Sequence, residues 1–156
     1  MSNQRIKTPC VGLCSTVYGD LVCRGCKRFH HEVVGWNAYA DEERRAVWLR
    51  LEQLLAQVMA AKLEVFDADL LRQQLQARQI RFVDGQSPYG WAYQLIARGA
   101  RVIQQIEAYG VGLLPEFRDW SLLELRDAID REFFLLSQAH YERYIAPRFI
   151  AGGTPD

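Results

Sequence analysis

Four cysteines, Cys10, Cys14, Cys23 and Cys26, share one short window with the spacing C-x3-C-x8-C-x2-C, and the chain has no others. Two close pairs joined by a short loop can bring four sulfurs to one point at little loop-closure cost. Four thiolates suit tetrahedral zinc or an iron–sulfur centre. The spacing is ordinary for zinc and matches neither of the common ferredoxin patterns, so zinc is the expected ion, with an iron–sulfur cluster as the alternative. Two disulfides compete with this reading, but a cytoplasmic chain able to build a full-sized core neither needs nor easily keeps them. A redox pair at Cys23 and Cys26 would want a βαβ setting, and little β-patterned sequence surrounds it. Gly12 and Gly25 fall inside the two pairs and Gly19 in the connecting loop. Gly25 is expected to turn backbone N–H groups towards the sulfurs, at positive φ.

Charge is balanced over the chain, with 19 basic and 19 acidic residues, but it is unevenly placed. Residues 1–31 hold Arg5, Lys7, Arg24, Lys27 and Arg28 against Asp20 alone. Two explanations stand level. Lys7, Arg24, Lys27 and Arg28 can offset the surplus negative charge of a four-thiolate centre, or they can contact an anion or partner. Zero net charge and an acidic body argue against a long backbone-tracking nucleic-acid site and leave room only for a local contact through the basic head. His30 and His31 follow the cysteines closely enough to ligate. Four cysteines already complete a site, so both read as surface or capping residues of the next helix.

The stretch from Pro9 to about Leu55 resembles the small bacterial domain of unknown function 1289. The matching elements are Pro9-Cys10-Val11-Gly12-Leu13-Cys14, Cys23-Arg24-Gly25-Cys26, a short helix from Glu32 ending at Trp36, and Asp41 to Val47. Members are commonly labelled predicted iron–sulfur proteins. The resemblance implies a metal or cluster at the four cysteines and implies no established reaction. It covers about a third of the chain.

The remainder reads as helix. Phe29, Val33 and Trp36 recur on one face of a short helix weakened by Gly35. Asp41 is an expected N-cap for an amphipathic helix over 42–63, with Val47, Leu51, Leu54 and Val58 as its apolar stripe. Asp67 or Asp69 caps another through about Gln79, with Leu70, Leu71 and Leu75 inward. Residues 80–83 could be extended. Ser87-Pro88 opens a helix expected to reach Ala108, with Gly99 permitting a bend or close crossing. Ser121-Leu-Leu-Glu124 is a capping box for the last long helix, carrying Leu125, Ile129, Phe133, Leu136 and His140 on one face until Pro147 stops it. The tail 152–156 is expected to be loose.

The expected fold is mainly α: a small N-terminal four-cysteine metal knuckle, residues 1–60 with its following helices, and a helical body over 61–156 packed on it, about five helices in all. The N-terminus is polar and lacks an apolar secretion core, and no apolar run approaches a membrane span, so the expected setting is cytoplasmic with no membrane partner. No P-loop, dinucleotide fingerprint, zincin or nucleophile-elbow motif is present, and the reading is non-enzymatic. The expected role is a structural and interaction module for a protein partner, or for nucleic acid through the basic head. The alternative role is electron transfer or redox sensing. The oligomeric state is left open.

Overall fold

The computed structural model of the chain describes residues 6–12 and 14–151. The expectations for Arg5 and for the tail 152–156 lie outside those residues. The chain divides into two compact units, Met1–Leu51 with Phe133–Asp156, and Glu52–Glu132. The expected division at residue 60 thus differs from the observed one in one respect above all: the stretch after Phe133 groups with the cysteines. The fold is mainly α, as expected, with a small two-stranded sheet.

In the first unit, residues 21–30 fold back on themselves. Val22 bridges Phe29 in antiparallel fashion, the Cys23 N–H donates to the Arg28 carbonyl at 2.8 Å, and the His30 N–H donates to the Leu21 carbonyl at 2.8 Å. Helix α1 (His30–Gly35) follows. Its start is set by Glu32, whose Oε1 accepts the Phe29 N–H at 2.8 Å, satisfying a donor that a helix end otherwise leaves open. A 3-10 turn, Trp36–Ala38, leads to α2 (Asp41–Ala60). The cap lies one residue earlier than expected: Glu43 Oε1 accepts the Ala40 N–H at 3.1 Å, and Asp41 joins the acidic first turn. Val47 and Leu51 are buried, as their spacing required.

The C-terminal part of this unit begins within helix α5 (Leu122–His140). Pro147 does not stop the run. A π-helical turn over Tyr141–Ile145, closed by the Ala146 N–H on the Tyr141 carbonyl, precedes α6 (Ala146–Ala151). Pro147 is then the second residue of α6, directly after that wider turn.

In the second unit, β1 (Leu63–Val65) pairs antiparallel with β2 (Val111–Leu113), Glu64 opposite Gly112. Neither strand has a readable alternation at three residues, and they lie some fifty residues apart. Residues 80–83 form no strand. Helix α3 (Ala68–Ala77) is capped by Asp67, whose carboxylate accepts the Leu70 N–H at 3.0 Å. Gly110 at φ 80° is required: a Cβ there would meet the Asp67 carbonyl oxygen at 2.3 Å.

Helix α4 (Pro88–Gly99) starts as Ser87-Pro88 indicated, with Ser87 Oγ accepting the Tyr89 N–H at 3.2 Å. It ends nine residues short of the expected Ala108. The Val102 and Ile103 N–H groups both turn onto the Gly99 carbonyl. The Ile103 side chain occupies the space a Cβ on Gly99 would need. The core of this unit is formed by Leu71, Leu75, Ala92, Leu95, Ile96, Val111, Leu125 and Ile129, all without solvent access. Among the described residues no helix is long and apolar enough to cross a membrane.

Candidate metal centre

The two cysteine pairs differ in how far the chain holds them. Cys23 and Cys26 are buried, Cys14 is half-buried and Cys10 is exposed. The backbone of Cys26, Ser15 and Gly25 and the Cys26 thiol face the Cys23 sulfur as donors. Burial pushes the Cys23 thiol up, but these donors outweigh it and hold it below its ordinary value. Cys26 stands the other way. Burial raises its thiol, against the opposing pull of Arg28, whose Nε donates to the Cys26 sulfur at 3.2 Å.

The first pair has weaker support. The Gly12 N–H donates to Cys10 Sγ at 3.4 Å, which Gly12 reaches at φ 94°. Cys14 Sγ lies 3.0 Å from Thr16 Oγ1, in a hydrogen bond either could donate. A 3-10 turn, Ser15–Tyr18, follows Cys14, and Gly19 at φ 99° ends it. Ser15 Oγ then accepts the Arg24 N–H at 2.8 Å, tying the loop after Cys14 to the Cys23–Cys26 turn. The positive φ expected of Gly25 belongs to Lys27 (φ 67°) instead.

Among the described residues no three His, Cys, Asp or Glu side chains converge closely enough to hold a metal ion. The structure brings Cys23 and Cys26 together and leaves Cys10 and Cys14 outside that pair. The donor set fits a thiophilic ion in chemistry: the donors around Cys23 favour its thiolate, and Arg28 opposes the burial that keeps Cys26 towards its neutral thiol.

The basic residues separate into two kinds. Lys27 is 1% exposed and Arg28 4%, which corrects their expected place on a partner-contact surface. Lys27 Nζ donates to the Arg24 and Gly25 carbonyls and lies over the Phe133 ring. Arg28 lies over Trp36, its guanidinium carbon 5.1 Å from the ring centroid. Once the chain folds back between Val22 and Phe29, both follow Cys26 into the interior. Arg24 and Lys7 stay exposed. Arg24 pairs with Asp20 at 3.3 Å, and the Lys7 carbonyl accepts the Trp48 indole N–H at 2.8 Å.

His30 and His31 open α1. His30 is exposed, and His31 packs between Phe29 and Phe149. The ion pair beneath them was not visible in the sequence. Glu32 is buried and accepts Arg50 Nη2 at 2.7 Å, while the Arg50 guanidinium lies 4.0 Å from the Phe29 ring centroid. The only local signal was a glutamate three residues after a helix-start position. Ser15 and Thr16, which brace the sulfurs, carried none.

Residues 8–55 match the model of a family described as protein of unknown function, DUF1289. No curated protein and no solved structure matches the chain.

Proposed function

We propose that Cys10, Cys14, Cys23 and Cys26 hold a zinc ion, and that the resulting knuckle is a structural and interaction module rather than a catalytic one. The observation that carries this reading is the shell around the second pair: a buried guanidinium bonded to the Cys26 sulfur, and backbone donors that hold the Cys23 thiol below its ordinary value. Such donors stabilise metal-bound thiolates. A divalent ion with four thiolates carries two surplus negative charges. Lys27 and Arg28, both buried beside the Cys23–Cys26 turn, supply two positive ones.

Metal capture would then be coupled to closure of the first arm. Cys23 and Cys26 form the prepared half of the site, and Cys10 and Cys14 complete it when the ion binds. The test is elemental analysis and an ultraviolet–visible spectrum of protein purified without oxygen. One zinc per chain in a colourless sample is expected. A brown sample containing iron and acid-labile sulfide would replace zinc with a cluster and the structural role with a redox one. Protein without any metal would end the proposal.

A further inference from the structure

From Arg72 to Arg101 the chain carries five arginines, no lysine and one acid, Asp84, although the unit around it is acidic. Two of the five have evident employment: Arg72 pairs with Asp84 at 3.1 Å, and Arg78 lies over the Tyr109 ring. Arg81 and Arg98 form no ion pair among the described residues. Both line an open cleft of about 630 Å³, together with Gln79 and Ile80. The lining holds no carboxylate and one aliphatic side chain, which suits a hydrated anion and not an apolar cofactor.

A second observation falls at the same place. Gln79 has φ 57°, the left-handed region that favours glycine. It sits just past the end of α3, where the Ile80 N–H reaches back to the Leu75 carbonyl at 2.9 Å, a helix ending that glycine ordinarily supplies. A glutamine here is strained, and the residue lines the cleft. Strain of this kind concentrates at ligand clamps. The position of Arg98 in the last turn of α4 has a simpler cause in the helix dipole, and the φ of Gln79 has one in the helix ending, but neither accounts for Arg81.

We propose that this cleft binds a phosphate-bearing small molecule, with Arg81 and Arg98 as forked donors to the phosphoryl oxygens and the Gln79 amide as a further donor. Arginine's planar fork matches phosphate geometry, and a phosphoryl group offers enough acceptor oxygens for all three. The proposal concerns the second unit and is independent of the metal.

Calorimetric titration of the full chain with inorganic pyrophosphate tests it. Saturable one-to-one binding is expected, weakened at least tenfold in an Arg81→Ala, Arg98→Ala variant and within twofold of wild type in Arg101→Ala. The last removes an equally exposed charge from the same stretch without touching the cleft. Gln79→Gly should weaken binding while raising the unfolding midpoint by about 2–4 °C. Absence of saturable binding overturns the proposal, as does an equal loss in Arg101→Ala, which would mean diffuse charge. Citrate binding as tightly as pyrophosphate removes the phosphate assignment, and binding of a DNA or RNA oligonucleotide without pyrophosphate binding removes the small-molecule one.

Discussion

The two units differ most in what they bury. Among the described residues, the cysteine-bearing unit buries eight apolar residues, Cys23 and Cys26 included, beside four charged ones, Lys27, Arg28, Glu32 and Arg44. The other unit buries sixteen apolar residues beside one charge, Lys62, which is paired with Glu132. Their lengths are similar, so the contrast is one of kind. A buried charge stays only where a partner meets it, and its removal strands the other member. The second unit is held by area removed from water; the first depends on directed bonds among ions, carbonyls, rings and sulfur.

The sharpest way to break this contrast is Cys23→Ser. It removes a ligand of the proposed zinc, whose binding free energy is on the order of 10 kcal/mol in small zinc modules. Hydrogen exchange should show the first unit unprotected while Leu71, Leu95 and Ile129 remain protected. A uniform loss across both units would erase the distinction. Leu95→Ala is the counterpart. At a fully buried position it should cost about 2–5 kcal/mol in denaturant unfolding while leaving metal content unchanged.

Arg28→Gln should act on the first unit alone, weakening retention of the proposed zinc about 10–100-fold in chelator competition, the usual cost of removing a partner from a metal ligand. Lys7→Gln, an exposed change in the same basic group, should leave retention unaltered.

The smallest expected effect is that of acid. His31 and His140 both lie against Phe29 and are held below their ordinary 6.5, by burial first, with the Arg50 guanidinium adding to it and Glu32 opposing. The unfolded chain therefore takes up protons first. The contribution of these neutral rings is complete above pH 6.5 and is lost as pH falls below it. Between pH 7.5 and 5.5 the Tyr141–Ile145 turn should lose hydrogen-exchange protection, and His140→Phe should reduce the loss. Unchanged protection in the wild type would show that these rings do not couple to pH.

Element starts were legible because their causes are local. Asp67, Ser87-Pro88 and Ser121 each act within three residues of the helix they open. The buried faces of α2 and α5 followed from period alone, as Val47, Leu51, Leu125 and Ile129 show. Ends were harder. α4 stops at Gly99 because Ile103 folds across it, and the chain passes Pro147 because a wider turn precedes it; both depend on where a later side chain or turn finds room.

The identity of the four sulfurs, their spacing and the glycine at Gly12 were written in the order of residues, since each is a matter of a few neighbouring bonds. What that order left open was which cations go inside, that Phe133 and the turn beyond it group with the cysteines, and that Leu63 pairs with Leu113. Those outcomes turn on contacts between residues far apart in the chain, where burial of a charge or of a strand edge is favourable only once its partner has arrived.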